Sequence, residues 1–293
     1  MPKLAAVLRL AVVVQCCWVS GVGSLPAVAQ NHQNHLTEPF SLEALPTRQL
    51  MAALGRGGAN EGVQICLEIV RRFRESTPTE RSATLSQLAV VLESDPQPDP
   101  RFGAIACLAG LVSAPVDPDT QAAVAEIVRN VLSAESDPTI LTAALRLMPD
   151  VDRSQRALIQ LSDLLNNLKL MQAHPGLAKE ALLSAGRFGP HAIPLLMSFL
   201  PTFPEASMIA LSATGGEEAV NVLIKEASGS DADRRYYAVH ALGLCTGSEE
   251  LSDENRAVII RTLERAAQTD SEPHIRQKAM EWLKETRQPP FPR

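Results

Sequence analysis

Apolar residues recur along most of this chain at spacings of three and four, the period of an amphipathic α-helix. No stretch shows the strict alternation of a half-buried strand. Over Asn60 to Glu75 the residues Val63, Cys66, Leu67 and Val70 share one helical face. Over Ser252 to Gln268 the same pattern returns with Val258, Ile259, Thr262, Leu263 and Ala266. Breaks fall every twelve to twenty residues, at Gly-Gly, Asp-Pro and Pro-x-Asp-Pro. The spacing therefore predicts many short helices and no sheet.

The helices repeat. With Pro98, Pro138, Pro175, Pro204, Ala232 and Pro273 aligned, alanine stands six residues later in every copy: Ala104, Ala144, Ala181, Ala210, Ala238 and Ala279. Ten residues after the anchor come Leu108, Met148, Ala185, Thr214, Leu242 and Leu283. Arg101, Arg235 and Arg276 stand three residues after theirs. A weaker copy begins at Asn60, with Cys66 in the alanine slot. Proline suits a first helical turn, where its missing N–H costs nothing. Asp99, Asp137, Asp231 and Asp270 can cap the turn or complement its dipole. A small residue at a fixed place marks the close crossing of neighbouring helices. Each anchored helix is followed by a second, near 118–132, 153–171, 190–200, 217–227 and 252–268. One pair cannot bury its apolar face alone, whereas stacked pairs share a core.

These units resemble HEAT repeats, in particular the short HEAT-like repeats also found in phycobilin lyases. The stretches from Gly189 to Leu196 and from Gly216 to Leu223 are similar to the family's entry to a second helix, and those from Asp231 to Gly243 and Asp270 to Leu283 to its first helix. The resemblance implies an all-α fold, a right-handed α-solenoid of stacked antiparallel helix pairs, here spanning 42–286 with about fourteen helices. Anchor steps of 29 and 28 residues between Pro175 and Ala232 predict trimmed helices there.

The first 29 residues read differently. Lys3 and Arg9 precede an apolar run from Leu10 to Val22, and Ala27-Val28-Ala29 is a small-x-small cleavage pattern. This predicts a secretory signal peptide, hence an exported chain, periplasmic or extracellular. Residues 30–41 form a polar His/Asn-rich leader and 287–293 a Pro-rich tail. No later run is long enough to span a bilayer, so no membrane insertion of the mature chain is expected.

Charge and chemistry narrow the function. The formal net charge is -6, without the basic surplus of a nucleic-acid binder. The histidines His174, His191, His240 and His274 form no metal-ligand spacing, so no cofactor or metal is predicted. Gly55-Arg56-Gly57-Gly58 has neither the preceding strand nor the Lys-Ser/Thr of a phosphate loop, and reads as a turn. Trp282 is expected to close the last core layer. Arg71, Arg72, Arg74, Arg234 and Arg235 read as solvated helix faces with local acidic partners.

Cleavage would leave Cys66, Cys107 and Cys245. The register sets Cys245 several units from the other two. Cys66 and Cys107 fall on neighbouring helices but about one turn out of step, which predicts three free thiols, with Cys66–Cys107 as the most plausible bridge otherwise.

The function expected is non-catalytic: an exported interaction scaffold, not an enzyme, holding a protein or peptide partner along its inner face. By resemblance that face is lined by second helices, which offer Arg129, Arg153, Arg156, Lys225, Arg256 and Arg261 as binding candidates. Two alternatives belong to other classes. One is an enzyme or chromophore-attachment factor resembling phycobilin lyases. The other is metal handling by the leader, whose Gln30-Asn31-His32 could chelate Cu(II) or Ni(II) after cleavage.

Overall fold

A computed structural model of the chain describes residues 42–54, 59–247 and 251–286. The signal peptide, leader, Pro-rich tail and the 55–58 turn of the sequence reading lie outside these. The described residues form fifteen α-helices and no strand. They divide between Asp152 and Arg153 into two units, each with its own core.

The first unit contains α1 (Thr47–Ala53), α2 (Ala59–Glu75), α3 (Pro78–Ser94), α4 (Pro98–Val112), α5 (Pro118–Ala134) and α6 (Pro138–Val151). Helices α2, α4 and α6 stack in one layer, and α1, α3 and α5 in a second. The second unit contains α7 (Gln155–Asn166), α8 (Leu168–Ala173), α9 (Pro175–Gly186), α10 (Ile193–Phe199), α11 (Pro204–Ser212), α12 (Glu217–Glu226), α13 (Ala232–Cys245), α14 (Asp253–Thr269) and α15 (Pro273–Thr286). Helices α7, α9, α11, α13 and α15 pack in series, with α10, α12 and α14 laid against them. Each unit is thus a run of stacked helix pairs, and the fold is an all-α solenoid.

Local chemistry starts these helices where the sequence places them. Proline occupies the first turn of α3, α4, α5, α6, α9 and α11. Asp117, Asp137 and Asp231 cap α5, α6 and α13 with side chains that accept backbone N–H bonds. Thr77 and Glu80 close a reciprocal capping box on α3. Asp270 ends α14, and its carboxylate both accepts the Glu272 N–H at 2.9 Å, just ahead of α15, and pairs with Arg235.

The alanine slot lies in the core, on helices that stack closely in series. Ala104, Ala144, Ala181, Ala210, Ala238 and Ala279 are all completely buried. Space there is so short that glycine takes over nearby. A Cβ on Gly186 of α9 would lie 2.4 Å from the Ala210 carbonyl oxygen of α11. A Cβ on Gly243 of α13 would lie 2.1 Å from the Trp282 ring of α15, so Trp282 does cover the last layer.

The second helices differ from the reading in two places. The expected 153–171 helix breaks at Asn167, which ends α7 and caps α8 by accepting the Leu170 N–H at 3.2 Å. The expected 190–200 helix opens as a 3-10 turn, Gly189–Ala192, before α10. Pro190 suits a first turn, but Pro194, four residues on, has no N–H to donate to the Pro190 carbonyl, so a regular α-helix cannot run on from Pro190.

Candidate functional site

Helices α3 and α5 pack side by side in the second layer and leave an open groove of about 750 Å³. Its floor is apolar, from Leu85 and Ala89 on α3 and Ala123 and Ile127 on α5. Ser82 and Ser86 stand exposed on one wall. Both helices expose a small or polar residue on nearly every turn that faces the groove, so their side chains do not fill it.

One end is fixed by Arg81. Its guanidinium donates to the Phe73 carbonyl at 3.2 Å, the Arg74 carbonyl at 3.3 Å and the Asp117 carboxylate at 3.1 Å. It also stacks 5.6 Å from the centre of the Phe73 ring. Asp117 accepts from the Thr120 N–H and from the Thr120 hydroxyl, both at 2.8 Å. Those two donors, followed by Arg81, hold its carboxyl below the usual carboxylate range. Arg81 and Asp117 therefore tie the start of α3 to the start of α5 and set the groove's width. With Asp119 and Glu126 on α5, the lining carries one arginine against three carboxylates.

The six arginines and lysines expected at a binding face do not line this groove. Arg129 is spent inside the first unit, where its guanidinium pairs with Asp152 and with Glu126 and its side chain is only 14% exposed. The other five lie in the second unit. Arg153 and Arg156 are exposed before and within the first turn of α7. Lys225 and Arg261 are exposed on the adjacent helices α12 and α14. Arg256 is half-buried and its guanidinium donates to the Thr246 carbonyl.

The recurring arginine of the register has a different task. Arg101 of α4 pairs with Glu135, the residue ending α5, and Arg235 of α13 pairs with Asp270, the residue ending α14. Each joins a first helix to the turn that leads into the next pair. Arg276 donates to the Asp270 and Ser271 carbonyls. Near the N-terminus Arg72 donates to the Leu42 and Glu43 carbonyls, at 2.8 and 3.0 Å, and binds Glu68 at 2.6 Å. Arg71 forms a fork with the same carboxylate. Arg71, followed by Arg72, lowers the Glu68 carboxyl to about 2. Arg72 and Arg235 are thus structural stitches rather than solvated charges.

Aromatic rings gather in the second unit. Tyr236 meets Tyr237 edge-on at 5.9 Å and His274 at 5.6 Å, and His240 lies 5.6 Å from Trp282. Burial, followed by Lys278, lowers the His240 pKa. No group of three or more metal-ligating side chains occurs among the described residues, and none of their helices is long and apolar enough to cross a membrane. Cys66, Cys107 and Cys245 are all free thiols, as the register predicts, yet the one-turn offset does not keep Cys66 away from the turn of α4 that bears Cys107: its sulfur rests 3.5 Å from the Gly103 carbonyl oxygen. The reason is that the Cys66 side chain packs on Gly103, one turn ahead of Cys107, and so recovers the offset.

No family model matches the chain, and no curated protein matches it by sequence. Among solved structures it is similar to the archaeal HEAT-like repeats protein from Thermococcus onnurineus NA1, at 12% identity and a TM-score of 0.46, over 83% of this chain and 97% of that one. It is also similar to a chain of the CpcE–CpcF complex of phycocyanin lyase from Nostoc sp. PCC7120, at 17% identity and a TM-score of 0.43, over 90% of this chain and 99% of that one. An engineered protein matches at 15% identity and a TM-score of 0.40, over 82% of this chain and 67% of that one.

Proposed function

We propose that this protein is an exported, non-catalytic scaffold that holds a peptide segment of a partner protein in the groove between α3 and α5. The observation behind this reading is the groove itself: about 750 Å³, open, floored by Leu85, Ala89, Ala123 and Ile127, and edged by three carboxylates against one arginine. An apolar floor takes apolar anchor side chains, and Asp119, beside an Asp117 already paired with Arg81 and a Glu126 already paired with Arg129, favours Lys or Arg next to them. Arg81 is already occupied by Asp117 and two carbonyls, so it holds the groove open rather than receiving a ligand carboxylate. Export is supported by the Lys3/Arg9, Leu10–Val22 and Ala27-Val28-Ala29 succession.

A peptide library displayed on phage and selected on the immobilised full chain tests the groove. Enrichment of peptides that combine an apolar residue with Lys or Arg is expected, with binding that weakens as salt rises. Binding should disappear in Ala123→Arg, which fills the groove from a half-buried position on α5, while the melting temperature stays close to that of the parent. Peptides that bind equally well to Ala123→Arg would remove the groove from the function. Export is tested separately, by N-terminal sequencing of chain recovered outside the cytoplasm: a start at Gln30 is expected, and retention of Met1 would overturn it.

A further inference from the structure

Cys66 lies on α2 and Cys107 on α4, the two helices that stack in the first layer of the first unit. Cys66 is 4% exposed and Cys107 fully buried. The Cys66 sulfur is 3.5 Å from the Gly103 carbonyl oxygen. In an α-helix the residue four places on donates its amide to that carbonyl, and here this residue is Cys107. The sulfur of Cys66 therefore rests on the same helical turn that Cys107 closes. Side chains on a helix lean towards its N-terminus and cover the turn before their own Cα. For Cys107 that turn is the one beside Gly103, where Cys66 already sits. Both side chains are thus brought to one buried turn between α2 and α4, where they stand as free thiols.

We infer that Cys66 and Cys107 form an intramolecular disulfide that staples α2 to α4 whenever the chain folds in the presence of a disulfide oxidant. The reaction is thiol–disulfide exchange. One thiolate attacks a sulfur of the oxidant's S–S bond, which breaks and releases one thiol. The second thiolate then attacks the mixed disulfide, which forms the Cys66–Cys107 bond and releases the other thiol. The protein gives up two protons and two electrons, and the oxidant disulfide takes them as two thiols.

The timing follows from burial. Exchange needs a thiolate, and in the finished fold burial, followed by the neighbouring Cys66, pushes the Cys107 thiol well above its ordinary value. The bond must close while α2 and α4 are pairing and water still reaches them, or during a later opening of this layer. Once closed, it lies out of reach of reductants. Cys245 is the internal control. Its sulfur lies 3.8 Å from the Ser212 carbonyl oxygen in the second unit, and burial pushes its thiol up to about 12.

The full chain, reduced and denatured, is refolded in a mixture of oxidised and reduced glutathione. Free thiols are then alkylated and the peptides mapped by mass spectrometry. The expected product has the Cys66 peptide joined to the Cys107 peptide, with Cys245 alkylated. The same oxidation kept in denaturant should instead spread over several pairings, because only the folded register brings these two together. The bridged chain should melt several degrees above the same chain refolded under full reduction. Recovery of Cys66 and Cys107 separately, whether alkylated or each carrying glutathione, would overturn the inference. So would a bridge from either to Cys245, or equal pairing in folded and denatured chains. Cys107→Ala retains a small buried group and provides a folded variant, in which the cross-linked peptide must vanish.

Discussion

At the scale of single residues, the firmest constraint is volume. The six anchored alanines have no exposed surface at all, so an added isobutyl group has nowhere to go. Ala238→Leu is expected to destabilise the protein by about 1–3 kcal/mol through overpacking. The anchor Ala232 is half-buried in the first turn of α13, so the solvent control is Ala122 on α5, which is exposed. Thermal unfolding of Ala238→Leu and Ala122→Leu should separate clearly, and equal melting points would contradict the packing described.

Glu68 adds a pH dependence at the same scale. Its folded pKa, about 2, lies below its ordinary value of 4.5 because of Arg71 and then Arg72. A depressed carboxylate contributes stability above its unfolded pKa, and this contribution fades as pH falls through the folded one. The Glu68 contribution is therefore complete at neutral pH and lost between roughly pH 5 and pH 2. Glu68→Gln should cost about 1–3 kcal/mol at pH 7, where it removes charge-assisted hydrogen bonds. Denaturant midpoints of parent and variant should converge on acidification, and a gap that stays constant down to pH 2 would show that Glu68 does not titrate in this way.

At the scale of elements, the arginine stitches decide how one helix pair locks to the next. The Arg235 and Asp270 side chains are 12% and 6% exposed and meet through two nitrogen–oxygen contacts. Arg235, the main cause, holds the Asp270 carboxyl below the usual carboxylate range. Asp270→Asn leaves a mostly buried guanidinium facing a neutral amide, and should cost about 1–3 kcal/mol. Because the two groups act as one, a double-mutant cycle with Arg235→Met should show a coupling of about 0.5–3 kcal/mol. Additive losses would mean that each side chain works alone.

These elements also show what the sequence makes legible and what it hides. Proline at a helix start and alanine six residues later are local or nearly local requirements, so both helix layers and their order can be read from spacing. The recurrence of Arg101, Arg235 and Arg276 is equally visible, but its meaning is not. Glu135 and Asp270 lie about 35 residues from their arginines, and only stacking brings them within reach. Asn167 interrupts an otherwise leucine-rich helix by capping, which periodicity does not register. The groove between α3 and α5 was missed because it is a property of two helices rather than of any residue. The signal that could have located it was the Thr77-Pro78-x-Glu80 capping box with Asp117-Pro118, which aligns the starts of both helices. The basic candidates followed from charge on helices that the resemblance places at an inner face, and neither says anything about partners already engaged, as Arg129 is with Asp152 and Glu126.

At the scale of the whole molecule, stacked repeats make stability a matter of neighbours. Within each unit, the first helices pack chiefly on the first helices next to them and on the second helices beside them. Damage should therefore stay close to where it is made. Ala104→Leu overpacks α4, whose neighbours are α2, α3, α5 and α6, and should speed amide hydrogen exchange in those helices. Helices α13, α14 and α15 belong to the second unit, whose core is built from its own residues, among them Val239, Leu242, Ile259, Leu263 and Ile275. Their exchange should be unchanged in the same sample. The reciprocal variant, Ala238→Leu, should reverse the pattern, loosening α11 to α15 and sparing α2 to α6. Exchange that rises uniformly along the chain in either variant would show a single cooperative body in place of neighbour-by-neighbour coupling. If the local pattern holds, a ligand in the α3–α5 groove protects the first unit alone, and protection seen by exchange in the presence of a selected peptide would mark where it binds.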